Sequence, residues 1–133
     1  MKVLLLVPVL LLAACSGGGQ DSLAAQDPPP DVLSVEVDRG DGSPVDAWTL
    51  DCQRLEQTTH PDPQAACTAL QGSAEPFAPL PEDAVCTELY GGPQEARITG
   101  TWSGSPVDLT VLRSNGCHIA QWESLVPLLP APS

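Results

Sequence analysis

The sequence predicts an α+β fold, namely a single small disulfide-bridged domain with an antiparallel sheet of four to five strands and one or two short helices. Stretches of alternating apolar and polar residues are separated by glycine-rich turns, which is typical of antiparallel strands. A short helical pattern interrupts these stretches. The 133 residues, with fifteen prolines and eleven glycines, leave room for one thin core that needs covalent support.

The first two predicted strands form a hairpin. Leu33, Val35 and Val37 alternate with polar neighbours and therefore share one apolar face. Residues 39–42 read Arg-Gly-Asp-Gly and predict the turn, because Asp-Gly pairs are favoured in hairpins. Alternation resumes at residue 45, and one face of this second strand carries Trp48, Leu50 and Cys52.

Residues 63–72 predict a short helix. Pro63 suits its first turn, Leu70 and the alanines are expected inside, and Gly72 ends it. Residues 73–85 contain three prolines and predict a loop.

The C-terminal third predicts more sheet. Strands are expected at 97–102 and 107–113, joined by the four-residue connection Ser103-Gly104-Ser105-Pro106. Residues 114–116 then turn the chain. We expect a last weak strand from His118 to Val126.

The N-terminus resembles an export signal. Lys2 is followed by an apolar run at residues 3–12, which is too short to span a bilayer. Residues 1–14 are therefore predicted to be a signal peptide. Leu12-Ala13-Ala14-Cys15 resembles the bacterial lipobox, which implies that Cys15 is lipidated and becomes the new N-terminus. The alternative is ordinary cleavage nearby, which leaves Cys15 as a free thiol.

The rest of the chain divides into a tether, a domain and a tail. Residues 15–31 comprise the anchor cysteine and a flexible tether that stiffens at its three consecutive prolines. The domain is expected at residues 32–126. Residues 127–133 are expected to form a frayed or loosely docked tail. The protein is thus predicted to be exported, either held on the outer face of the cell membrane or secreted.

Charge and motifs exclude several function classes. Seventeen acidic residues face five basic ones, for a net charge of −12, which argues against nucleic acid and against a polybasic membrane patch. Any membrane association is expected through the lipid anchor only. The sequence contains no G-x-S-x-G, H-E-x-x-H or P-loop pattern, so we expect no enzyme. Histidines and cysteines form no zinc pattern, so no metal site is expected.

Five cysteines are an odd number, and acylation of Cys15 would leave four that can all pair. Four cysteines allow three pairings, of which the sequential one closes the shortest loops. Each bridge would contribute roughly 3–4 kcal/mol to a domain whose total stability is about 5–15 kcal/mol. The four are Cys52, Cys67, Cys86 and Cys117.

An ordered set of short motifs resembles the Streptomyces subtilisin inhibitor family. The resemblance runs from about Val32 to Leu128, essentially the whole domain. Its strength lies in the order of the motifs and in the cysteine spacing rather than in any one tetrapeptide. The matching segments are Thr49-Leu50-Asp51-Cys52, Thr59-His60-Pro61, Ala66-Cys67, Cys86, Tyr90, Gly100-Thr101-Trp102 and Ser114-Asn115-Gly116-Cys117.

The resemblance implies a function as well as a fold. It implies the bridges Cys52–Cys67 and Cys86–Cys117, a homodimer formed through the sheet face, and no cofactor. It further implies an inhibitor of serine proteases that offers a substrate-like loop, with the scissile bond at Glu88–Leu89. The implied reactive loop, called here the 85–90 strip, consists of Val85, Cys86, Thr87, Glu88, Leu89 and Tyr90.

Asn115 matches the family position whose side-chain amide braces that loop from behind. It also suits a turn, because asparagine tolerates left-handed backbone. The two interpretations are compatible.

Three departures from the family pattern bear on activity. Thr87 stands where proline is usual, which leaves φ freer. Gly91-Gly92 adds one residue after the strip and is expected to loosen it. Glu88 is acidic where familiar members carry Met, Lys or Arg, and a glutamate in an apolar S1 pocket costs a few kcal/mol.

Two hypotheses follow. In the first, the protein inhibits a subtilisin-like or glutamate-specific serine protease. In the second, it is a membrane-anchored binding or structural lipoprotein that kept the scaffold and lost the inhibitory activity.

Overall fold

A computed structural model describes residues 30–132. The elements, in chain order, are β1 (Val32–Asp38), β2 (Asp46–Asp51), a 3-10 turn (Leu55–Gln57), α1 (Pro63–Gln71), β3 (Glu95–Trp102), β4 (Ser105–Val111) and α2 (Gly116–Ser124). The predicted signal segment, Cys15 and the tether up to residue 29 lie outside the described residues. Within residues 30–132, no helix is long and apolar enough to cross a bilayer.

The four strands form one antiparallel sheet in the order β2-β1-β3-β4. Val35 lies opposite Trp48 on β2 and opposite Ile98 on β3, so alternating residues of three strands share a face. The predicted face of Leu33, Val35 and Val37 is fully buried. The fold class is therefore the predicted one, with four strands and two α-helices.

The turn between β3 and β4 is shorter than predicted. β3 ends at Trp102 and β4 begins at Ser105, so the connection is the pair Ser103-Gly104 rather than residues 103–106. Both turn residues have positive φ, 49° and 77°, as a two-residue hairpin turn of type I′ requires. The Asp31 carboxylate accepts hydrogen bonds from both turn amides, at 3.0 and 3.1 Å.

Helix α1 forms where the sequence predicts it. Asp62 caps it by accepting a hydrogen bond from Ala65 N–H at 3.3 Å, and proline occupies the first helical position. The Cys52–Cys67 disulfide ties this helix to the end of β2. Its inward side packs into the core through Ala66, Cys67 and Leu70.

Residues His118–Val126, predicted as a strand, instead belong mostly to helix α2. Asn115 begins the helix by accepting a hydrogen bond from His118 N–H at 3.0 Å. Trp122 and Leu125 are fully buried at a spacing of three residues, which suits one face of a helix. The cap and this spacing outweigh the weak alternation on which the strand prediction rested.

The segment after Val126, expected to be frayed or loosely docked, is packed into the core. Leu128 and Leu129 are fully buried. The Leu128 carbonyl lies 3.0 Å from His60 Nε2, and Trp122 Nε1 donates to the Pro130 carbonyl at 2.9 Å. His60, itself buried, is therefore a structural hydrogen-bonding residue, and the folded domain extends beyond residue 126.

We therefore expect Leu129→Ala to lower the free energy of unfolding by about 2–5 kcal/mol, because it opens a cavity in the core. Chemical denaturation monitored by tryptophan fluorescence measures the loss. Pro132→Ala, at an exposed position three residues later, is the matched control and is expected to change stability by less than about 0.5 kcal/mol. Equal effects of the two variants would contradict a packed tail.

Candidate functional site

The 85–90 strip lies in a long irregular segment between α1 and β3. Its apolar side chains face solvent: Val85 is 99% exposed, Leu89 63% and Tyr90 66%. These are three of the four large hydrophobic side chains that the described part of the chain exposes. Single exposed hydrophobic residues are normal on a protein surface. Three of them on one loop form a cluster, and such a cluster indicates a binding surface.

The N-terminal half of the strip is held by a covalent and a polar contact. Cys86 is bridged to Cys117, with the two Cα atoms 5.2 Å apart. One residue later, the Thr87 carbonyl accepts a hydrogen bond from Gly116 N–H at 2.9 Å. The strip is thus fastened to the first turn of α2.

Gly116 permits this close approach. A Cβ atom at position 116 would overlap the Thr87 hydroxyl and lie 3.2 Å from Thr87 Cβ. The glycine therefore lets the strip lie directly on the start of the helix. The requirement is one of space, because no left-handed φ is recorded at this residue.

The segment after the strip is also held, contrary to the expectation that Gly91-Gly92 loosens it. Gly91 N–H donates to the Arg113 carbonyl at 2.7 Å, and Arg113 Nε donates to the Gly91 carbonyl at 3.4 Å. A Cβ atom at position 91 would lie 2.7 Å from the Ile119 side chain. The extra glycine lets the backbone pack against α2.

Asn115 directly precedes Gly116, which contacts the strip, but it is not a left-handed turn residue, because its φ of −155° is extended backbone. Its Oδ1 atom is used to cap α2. By fixing the start of this helix, Asn115 orients Gly116 and Cys117, which contact the strip directly. Its geometric link to the strip therefore runs through these two neighbours.

Sequence reasoning singled out the strip, the disulfide and Asn115 but missed Gly116 and Arg113 as its supports. A signal for Arg113 was present, because it continues the alternation of Val107, Leu109 and Val111 on the core face of β4. An arginine at the end of a buried row predicts a side chain turned inward. No local pattern identifies the carbonyl that it contacts.

Among the described residues, no exposed arginine or lysine lacks an acidic partner. Three arginines pair with aspartates, and Arg113 is buried. In the shortest of these pairs, Arg39 with Asp46 at 2.8 Å, the hydrogen bond to the carboxylate raises the pKa of Arg39. In the same hairpin, hydrogen bonds from Ser43 lower the pKa of Asp41. No cluster of potential metal ligands occurs within residues 30–132.

Fold and site together define a small disulfide-bridged scaffold that displays one braced, exposed loop. The model of the subtilisin inhibitor-like family matches residues 30–115. Subtilisin inhibitor-like protein 5 of Streptomyces fradiae is 31% identical over 96 residues, which is 68% of this chain and 89% of the relative. The chain therefore belongs to the subtilisin inhibitor-like family.

Two further proteins are similar to this chain. Subtilisin inhibitor-like protein 8 of Streptomyces virginiae is 32% identical over 79 residues, covering 57% of this chain and 71% of the relative. Among solved structures, sermetstatin of Streptomyces caespitosus in complex with Bacillus licheniformis subtilisin is 27% identical. It aligns with a TM-score of 0.46 over 74% of this chain and 98% of that chain.

Proposed function

We propose that this protein inhibits serine proteases by presenting the 85–90 strip as a substrate, with the scissile bond at Glu88–Leu89. The observation that carries the proposal is an exposed strip fastened on both sides of that bond. Family membership supports the same function, which is inhibition and not an enzymatic activity. A serine protease is accordingly the partner.

The physical basis is preorganisation. A loop already held in one conformation loses little ordering entropy when it docks, so more of the contact energy appears as affinity. The Cys86–Cys117 bridge constrains the strip two residues before the scissile bond. The same constraint keeps the new chain ends together after cleavage, so religation competes with release.

Glu88 defines the preferred target. Its side chain is exposed and, because Glu88 directly precedes the proposed scissile bond, it would occupy the S1 pocket of the protease. An apolar S1 pocket would have to desolvate the carboxylate, whereas a cationic pocket would pair with it. We therefore propose a glutamate-accepting protease as the best partner. Subtilisin-like enzymes would be bound more weakly, through Val85, Thr87 and Tyr90.

A protease panel tests the proposal. The folded domain is titrated against glutamate-specific, subtilisin-like and trypsin-like serine proteases, and residual activity and cleavage products are followed together. Inhibition at one-to-one stoichiometry, with slow cleavage only after Glu88, is expected for at least one enzyme. Rapid degradation at many bonds, or no complex with any protease, would contradict the proposal. It would favour the second hypothesis, in which the protein is a membrane-anchored binding or structural lipoprotein without inhibitory activity.

We also propose export with lipidation at Cys15. The two disulfides among the described residues suit an oxidising compartment outside the cytosol. Intact mass spectrometry of the protein from a bacterial membrane fraction tests this, because acylation, the mature start and both bridges each change the mass. An unmodified Cys15 would contradict anchoring but would leave export standing.

Self-association through the outer face of the sheet is a further proposal, derived from the family resemblance. That face carries polar and charged side chains such as Glu36, Arg97 and Asp108. Light scattering of the domain over a range of concentrations tests it. A monomer mass at every concentration would refute the dimer without affecting inhibition.

A further inference from the structure

Arg113 is the most unusual charged residue in the described part of the chain. Its side chain is only 6% exposed, and its Nη1 atom is buried without a hydrogen-bond partner among residues 30–132. A buried guanidinium without a carboxylate partner is costly, and an apolar residue of similar size would pack there at lower free energy. Stability alone therefore does not explain an arginine at this position.

The contacts that Arg113 does make point to the strip. Its Nε atom donates to the Gly91 carbonyl at 3.4 Å, and its own carbonyl accepts from Gly91 N–H at 2.7 Å. The guanidinium carbon lies 5.7 Å from the centre of the Trp122 ring, which is itself fully buried. The side chain thus joins a rigid helix to one backbone carbonyl in the irregular segment.

Gly91 is the third residue after Glu88, and Cys86 is the second residue before it. Both are fastened to residues 113–117, one by hydrogen bonds and the other by the disulfide. We propose that Arg113 is the positioning residue for the half of the strip that begins at Leu89. This inference rests on the proposed function, and it explains how that half stays bound after the peptide bond is cut.

The chemistry requires such retention. When the protease serine attacks the Glu88 carbonyl, its hydroxyl oxygen forms an ester bond to the carbonyl carbon. In the same reaction the Glu88–Leu89 bond breaks and the Leu89 nitrogen takes up a proton. Religation reverses these steps, with the Leu89 amine attacking the ester and the serine leaving. The amine must stay close to the ester, and the Gly91 anchor keeps it within two residues of a fixed point.

The test is Arg113→Met, which keeps an apolar side chain against Trp122 but removes the donor to Gly91. Thermal stability is expected to stay the same or rise, because a buried unpaired charge is removed. The ratio of cleaved to intact inhibitor at equilibrium is expected to rise roughly tenfold, as is the rate at which inhibition is lost with time. Arg39→Met is the matched control, because Arg39 is exposed in the hairpin between β1 and β2 and is expected to alter neither readout.

If Arg113 were only a structural residue, its replacement would not impair religation while leaving stability unchanged or higher. An unchanged cleavage ratio in Arg113→Met, or a fall in stability that accounts for the lost inhibition, would overturn the proposal. If the unaltered protein inhibits no protease, the proposed function fails separately. Amide hydrogen exchange at Gly91 in the free protein would still decide whether the Arg113 side chain holds this segment. The Gly91 N–H keeps its bond to the main-chain carbonyl of residue 113 in the methionine variant, so faster exchange there reports that loss of the side-chain bond lets the segment open more often, and unchanged exchange would contradict the anchor.

Discussion

Replacing both Cys86 and Cys117 with alanine is expected to turn the inhibitor into an ordinary substrate. The bridge is the only covalent constraint on the 85–90 strip in the described structure, and without it the segment retains only hydrogen bonds at its edges. Cleavage by the target protease should become rapid and complete. We expect inhibition to weaken by at least about a hundredfold, because the strip must then be ordered on binding.

The same change also destabilises the fold. Opening a loop that spans 31 residues costs about 3.7 kcal/mol by chain-entropy reasoning. Inhibition must therefore be measured where circular dichroism shows the variant to be folded. Stability is measured by thermal or chemical denaturation of the same preparation.

The second disulfide provides the matched control. Cys52 and Cys67 close a loop of 15 residues, so their replacement by alanine costs about 3 kcal/mol, nearly the same amount. This bridge joins β2 to α1 and does not contact the strip. Folded Cys52/Cys67 variants should inhibit like the unaltered protein. Equal loss of inhibition in both pairs would show that the Cys86–Cys117 bridge acts through global stability alone.

The sheet was predictable because strand alternation is a local property. The alternation of Leu33, Val35 and Val37 predicts one buried face from a few adjacent residues, without knowledge of any distant contact. The burial of the C-terminal segment could not be predicted in this way. Leu128 and Leu129 stand among prolines that suggest an extended tail, and only the space beside Trp122 and His60 makes them core residues.

Helix α2 shows how a turn motif can be misassigned. Ile119, Trp122 and Val126 recur at intervals of three and four, which is helical spacing. The preceding Ser114-Asn115-Gly116 reads equally well as a reversal between strands or as a helix cap. The cap is what forms, and it also brings Gly116 against the strip.

The candidate site likewise has one part that could be predicted from the sequence and one part that could not. The strip could be located from its resemblance to a family and from the position of Cys86. Its polar supports could not, because the bond between Arg113 and Gly91 joins residues 22 positions apart that no shared pattern connects. The effect of an inserted glycine likewise depends on the side chain of Ile119, which only the folded structure brings near.

Glu88→Lys is expected to redirect the inhibitor. A trypsin-like protease carries a carboxylate at the base of its S1 pocket, so the native glutamate meets a like charge there and a lysine meets an opposite one. Like-charge contacts in an interface cost several kcal/mol. We therefore expect affinity for trypsin-like enzymes to rise by more than about a thousandfold, measured as inhibition constants against a chromogenic substrate.

Against a glutamate-accepting protease the same variant should lose affinity by a comparable factor, since a cationic pocket then faces a cation. Glu88→Gln separates charge from shape, because it should also weaken binding to a cationic pocket but strengthen binding to an apolar one. The fold should be unaffected, since the side chain is exposed.

Glu82→Lys is the matched control, because it makes the same charge change on an exposed residue of the same irregular segment but outside the strip. Its effect should be limited to long-range electrostatics, a few-fold change that salt suppresses. If Glu82→Lys shifts specificity as strongly as Glu88→Lys, net charge governs recognition and the scissile bond is not at Glu88–Leu89. If neither variant shifts it, the strip does not enter the protease active site, because a residue in the S1 pocket cannot reverse its charge without changing affinity.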